Sequence, residues 1–313
     1  IDPWKPVDKA LITHDHADHA RWGHAQYLAH RDAAPVIRQR LGEITMQEVE
    51  YDETISINGV KFSFHPAGHI PGASQIRVEY KGEVWVASGD YKLENDGLSK
   101  PFEPVKCHTF ITESTFGLPV FRWEEQGKVF DQIKGWWMKN REEGKASVLV
   151  GYALGKAQRL IKGLTDVDGR IFTHGAIENV NAIMRAQGID IPETTLVTQE
   201  IPKTEYKGQL VVAPPSALGT PWMRKFQPYS TAMASGWMAL RGTRRRRAVD
   251  RGFVLSDHAG WEGLNKAIEA TGAENVVVTH GYTEIFAHWL RDRGYNAMIA
   301  RTQFEGETLT GED

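Results

Sequence analysis

The sequence predicts an α/β fold spread over about two domains, and three observations lead there. At 313 residues the chain is longer than one compact core ordinarily organises. Residues 1 to about 116 are strand-rich, with short apolar runs broken by Gly, Pro and Asp. From about residue 117 helical patterns and short apolar strands take turns, as they do when helices cover a mainly parallel sheet. The strand-rich character returns at about residue 252. The chain therefore reads as a first part (1–116), an intervening unit (117–251) and a closing part (252–313).

In order along the chain, strands are expected at Lys9 to Ile12, Val36 to Arg40, Val60 to Phe64, Gln75 to Tyr80, Glu83 to Ser88 and Thr109 to Thr112. Lys81-Gly82 between two of them suggests a hairpin. In the intervening unit, helices are expected at Val129 to Asn140, Ala157 to Leu164 and Ala176 to Ala186. Strands there are expected at Ala146 to Val150, Arg170 to Thr173, Thr195 to Thr198 and Gln209 to Ala213. Gly252 to Asp257 and Asn275 to Thr279 read as buried strands, each ending in a histidine, His258 and His280. Helices at Trp261 to Ala270 and Thr283 to Arg293 follow them, and a strand at Ala297 to Thr302 closes the chain.

Chemistry concentrates directly after the first of these strands. Thr13 to Ala20 places His14, His16, Asp18 and His19 within six positions. Imidazole nitrogen and carboxylate oxygen suit zinc and similar divalent ions, and the H-x-H-x-D-H spacing divides the ligands between two neighbouring ions. Further ligand-type residues, His69, Asp90 and Glu113, sit where other strands stop. One ion is expected on His14, His16 and His69 and a second on Asp18 and His19, with Asp90 bridging them and His280 completing the second; for His69, Asp90 and His280 this rests on position together with the family resemblance given below. Glu113 and His258 can pair as carboxylate and imidazole, which would equip the histidine to give a proton, or each can simply cap a strand end. His174 reads as structural or substrate-lining, and His24, His30, His65, His108 and His288 show no pattern.

Composition sets bounds on the rest. Apolar content of 41% and charged content of 25% are those of an ordinary globular chain, and no apolar run approaches the ~20 residues that span a bilayer. The single cysteine, Cys107, excludes a disulfide framework and any cysteine-based zinc site and suits a reducing cytoplasm. The chain opens at Ile1 without methionine, so residues upstream are expected. A net charge of −3 does not describe a generic nucleic-acid binder. A local basic patch does exist. Arg241, Arg244, Arg245, Arg246, Arg247 and Arg251 fall within eleven positions, and guanidinium groups bind phosphates bidentately. The bland alternative is a solvated charge run. Trp222, Trp237 and Met238 lie nearby and can stack bases or belong to a core.

Together these residues resemble the metallo-β-lactamase fold, and more narrowly its β-CASP nuclease branch. Asp2 matches the first family motif as a supporting residue, His14 to His19 the second, His69 the third and Asp90 the fourth. Glu113, His258 and His280 match the three β-CASP motifs. The resemblance covers essentially the whole chain and implies an αββα sandwich with an inserted α/β domain. Tyr152-Ala153-Leu154-Gly155-Lys156-Ala157-Gln158 and Gly252 to His258 are similar to bacterial exonucleases associated with a DNA ligase and a helicase. A histidine at position 280 is also typical of RNA-cleaving relatives.

The resemblance implies a phosphodiesterase with two divalent ions, zinc first and manganese or iron as alternatives. Its catalytic residues would be Asp18, His258 and Glu113. The substrate is expected to be DNA, cut as an exonuclease with 5′ polarity, and RNA is the alternative. An ester or lactone hydrolase and an inactive nucleic-acid scaffold are the rival readings.

Overall fold

The structure, a computed structural model, describes residues 1–242 and 249–300. The chain divides into two compact units, one formed by Ile1–Arg122 with the chain from Asp257, the other by Trp123–Ser256.

In the first unit, β1 (Lys9–Leu11), β2 (Gln26–His30) and β3 (Met46–Val49) form a parallel sheet, with helix α1 (Ala34–Leu41) connecting β2 to β3. The second sheet has seven strands. β4 (Thr54–Ile57), β5 (Val60–Pro66), β6 (Ser74–Tyr80) and β7 (Glu83–Ala87) run antiparallel. β7 then pairs in parallel with β8 (Thr109–Ser114), β8 with β15 (Asn275–Gly281) and β15 with β16 (Asn296–Ile299). Leu28 and Val49 of the small sheet share a core with Phe64 and Ile76 of the large one. Ala10, Ile12, Tyr27 and Ile37 bury α1 against the small sheet. The late helices α5 (Trp261–Thr271) and α6 (Thr283–Asp292) pack on β8 and on β15 with β16, respectively.

In the second unit, β9 (Ala146–Val150), β10 (Ile171–Thr173), β11 (Thr195–Leu196), β12 (Leu210–Ala213), β13 (Tyr229–Ala234) and β14 (Arg251–Phe253) make a parallel sheet in the order β11-β10-β12-β9-β13-β14. Helices α2 (Gln126–Glu142), α3 (Lys156–Gly163) and α4 (Gly175–Ala186) alternate with these strands. Alternate residues of β9 enter different cores: Leu149 packs with Trp137, Leu160 and Val212, whereas Val148 and Val150 pack with Phe172, Tyr206 and Phe226. Burial of both faces explains why the central strands β9 and β12 read as nearly continuous apolar runs.

The strand expected at Val36 to Arg40 is part of α1. Pro35 in the first helical turn and burial of Ala34, Val36 and Ile37 on one face decide for helix. The strand expected at Gly252 to Asp257 is only Arg251–Phe253, so His258 follows irregular chain rather than a strand end. His280 lies inside β15. The Lys81-Gly82 hairpin forms with Tyr80 opposite Glu83. Strands β2, β3, β4 and β13 fall outside the expected set. Gln26–His30 and Met46–Val49 are poor in β-branched residues, and their parallel partners rather than local propensity hold them extended. Among the described residues, no helix is long and apolar enough to cross a membrane.

Candidate metal centre

The loops after β1, β5 and β7, the ends of β8 and β15, and the chain at Asp257 and His258 carry the site. Past β1 the chain turns helically, with the amide of Ala20 donating to the carbonyl of His16 at 2.9 Å. That turn folds Asp18 and His19 back toward His14. Gly89 makes the close approach possible from β7: its φ is 57°, and a Cβ there would lie 2.7 Å from Thr13 Cβ.

Three imidazole nitrogens converge. His16 Nδ1 lies 3.1 Å from His14 Nε2 and 3.2 Å from His69 Nε2. Nitrogens bound to one tetrahedral zinc at ~2.0–2.1 Å stand roughly 3.3–3.4 Å apart, so the spacing fits ligands around a shared ion. With Asp90 they form a group of four ligand atoms, all within 4.8 Å of one another. The far ring nitrogens of two of them are anchored: His14 Nδ1 meets Thr13 Oγ1 at 3.1 Å and His69 Nδ1 donates to the Asp257 carbonyl at 2.9 Å. Such anchors aim the free nitrogen at an ion.

A second set adjoins the first. His19 Nε2 is 3.5 Å from Asp18 Oδ2 and 3.4 Å from Asp90 Oδ2, is buried, and has no hydrogen-bond partner among the described residues. Its Nδ1 is 2.8 Å from Asp2 Oδ2, and Asp2 also accepts from the amide and hydroxyl of Thr13 at 2.8 and 2.6 Å. The His280 ring stacks on the His19 ring with centroids 5.5 Å apart. A buried nitrogen without a hydrogen bond, facing two carboxylates, fits a second cation.

The charges follow from these contacts. Burial holds His14 and His69 well below the ordinary imidazole range, leaving neutral rings with lone pairs to donate. Burial also opposes charge on His19, but Asp18, Asp90 and Asp2 outweigh it and hold the ring well above its usual value. Asp90 would be raised by burial, yet His19 and His258 hold its carboxyl well below the usual range. Burial lowers His280. Three carboxylates around one imidazole thus call for positive charge.

Glu113 and His258 are both buried and joined: His258 Nδ1 lies 3.1 and 2.9 Å from the two Glu113 oxygens. The amide of Tyr91 donates to Glu113 Oε1 at 2.8 Å, and the His258 and His69 rings stand 4.6 Å apart. Asp90, Glu113 and His258 form another group of convergent donors. A separate group, Asp52, His65 and Glu103, lies on the surface, where Asp52 is 68% exposed.

Elsewhere, Arg241 and Arg251 are exposed, and Arg244, Arg245, Arg246 and Arg247 lie outside the described residues. Trp237 and Met238 are buried, which removes them as base-stacking surfaces, and Trp222 packs against Phe226 and His174. His174 caps α4 by accepting from the amide of Ala176. Sequence reasoning misses Thr13, Asp15 and Tyr91; the first two stand within the ligand stretch but carry no pattern of their own.

No family model matches the chain. It is 28% identical over 303 residues to a probable DNA ligase of Opitutus terrae, a match covering 95% of this chain and 29% of the relative. It is 31% identical over 122 residues to endoribonuclease YSH1 of Yarrowia lipolytica and 32% over 120 residues to that of Saccharomyces cerevisiae, each covering 37% of this chain. The chain spans less than a third of the length of these relatives. A solved protein of unknown function from Enterococcus faecalis shares the fold, with TM-score 0.61 over 86% of this chain and 74% of that one at 11% identity.

Asp15 supplies a pH test of the site's burial. It is fully buried, neither carboxylate oxygen has a hydrogen-bond partner among the described residues, and burial pushes its carboxyl up to about 6. The folded state therefore holds this proton more tightly than the unfolded chain, and stability falls as pH rises from about 4 to about 6. In chelator-treated protein, Asp15→Asn should be more stable than the parent by roughly 2–3 kcal/mol at pH 8 and nearly equal to it at pH 4. Urea unfolding at the two pH values checks this; a difference independent of pH contradicts it.

Proposed function

We propose that this chain is a dinuclear-metal phosphodiesterase of the metallo-β-lactamase fold and its β-CASP branch, cleaving nucleic acid, with DNA as the substrate favoured by its long match to a probable DNA ligase. The observation that carries the reading is the convergence of His14, His16 and His69 with Asp90, beside the Glu113–His258 pair. The αββα layering that this fold requires is supported by the cores that join α1 to the small sheet and the small sheet to the large one. Asp18, His19, Asp90 and His280 would hold the second ion.

Two divalent ions in such a site supply a Lewis-acidic clamp on a phosphoryl group and a nucleophile at neutral pH. Zinc suits the nitrogen-rich donor set, with manganese and iron as alternatives. The chain's own residues do the rest. Asp2, Thr13 and the Asp257 carbonyl fix ring orientations. Glu113 engages Nδ1 of His258 and orients the ring, whose Nε2 would give a proton to the leaving sugar oxygen. Arg241 and Arg244 to Arg247 would grip backbone phosphates, and such grips carry little sequence information. Exonuclease action with 5′ polarity and association with a ligase and helicase belong to the same proposal. The partial matches to endoribonucleases favour a second reading, RNA cleavage.

Digestion of end-labelled DNA and RNA strands tests both readings. His16→Ala and Asp90→Ala should lose more than about 100-fold in cleavage rate, since each removes a ligand on which metal chemistry depends. His258→Ala should lose about 10²–10⁴-fold while keeping its metal content. Retained cleavage in the ligand variants contradicts the mechanism, and ester hydrolysis without strand cleavage in the parent would favour an acyl hydrolase.

Neutralising Arg244 to Arg247 should weaken DNA binding and flatten its dependence on salt by about one slope unit for each phosphate left without its guanidinium. Binding titrations across salt concentrations check this, and an unchanged slope removes the arginines from the interface.

A further inference from the structure

His280 interrupts a regular strand. Its φ is 56°, in the left-handed region that a residue with a Cβ rarely adopts. The β8–β15 register breaks at the same point: Thr279 lies opposite Glu113 and Gly281 opposite Ser114, so His280 is the extra residue of a β-bulge. Strand alternation explains what the bulge changes. Val276 and Val278 are buried on one face, and an unbroken strand would send the side chain of residue 280 to that same face. Instead its ring lies on His19.

Two hydroxyls hold this arrangement. The buried Ser114 Oγ donates to the carbonyl of His280 and, at 3.3 Å, to that of Thr279. Thr279 Oγ1 lies 3.1 Å from His280 Nδ1, which leaves Nε2 as the ligand nitrogen. The backbone passes close above β8, for Gly281 has φ 75° and a Cβ there would lie 2.4 Å from the Ser114 carbonyl oxygen.

We infer that Ser114 and Thr279 are positioning residues for the second metal ion: their hydroxyls hold the bulge that turns His280 out of strand alternation and onto the His19 side of the site. This rests on the dinuclear reading above. Neither hydroxyl needs to touch metal or substrate.

Zinc content and competition titration with a chromophoric chelator test it on the full chain, with His280→Ala as the single-ion reference. The parent should bind two equivalents. Ser114→Ala and the shape-preserving Thr279→Val should keep the affinity for the first ion and lose about tenfold or more for the second. In cobalt-loaded protein the absorption of the first site should stay unchanged. If Ser114→Ala does not fold, Thr279→Val decides alone. Parental affinity for the second ion in the folded variants overturns the inference and leaves the dinuclear reading standing; fewer than two ions in the parent overturns both.

Discussion

One buried carboxylate oxygen organises the site. Asp90 Oδ2 lies 3.5 Å from His14 Nε2, 3.4 Å from His19 Nε2 and 4.0 Å from His69 Nε2, and the residue is only 6% exposed. A charge withdrawn from water costs several kcal/mol unless it is compensated. His19 and His258 supply that compensation and hold the Asp90 carboxyl well below the usual range, while His14 and His69 stay neutral through burial. Carboxylates and neutral imidazole nitrogens thus gather around one buried point, a donor set that suits divalent cations.

The remaining architecture delivers groups to that oxygen. β5 and β7 run in the same direction, as do β7, β8 and β15, so the chain leaving their ends emerges at one edge of the large sheet. That edge carries His69, Asp90, Glu113 and His280. The small sheet contributes the turn after β1 and with it His14, His16, Asp18 and His19. Outer partners then fix which nitrogen each ring presents: Thr13 for His14, Asp2 for His19, Asp257 for His69 and Thr279 for His280.

Legibility in the sequence follows the range of each interaction. His14, His16, Asp18 and His19 can be read together because one local turn holds all four. His69, Asp90 and Glu113 stand out as polar residues near strand ends and His258 as one after an apolar run, but position and the family resemblance are all that group them, since strand pairing over long separations brings them near. The bulge at His280 is hidden for a related reason: left-handed backbone at a histidine has no local signal when a serine 166 residues away holds it. In α1 the pair Val36-Ile37 suggests a strand, while Pro35 and the burial of a single helical face decide otherwise. Trp237 and Met238 show the converse, apolar residues whose placement depends wholly on burial that sequence does not reveal.

A dinuclear site places two cations in the space around Asp90. Diffraction from zinc-loaded crystals, collected above and below the zinc absorption edge, addresses it most directly. Two anomalous peaks roughly 3.5–4 Å apart are expected, one among His14, His16 and His69, the other among Asp18, His19 and His280, with Asp90 between them. A single peak, or peaks away from these residues, would contradict it.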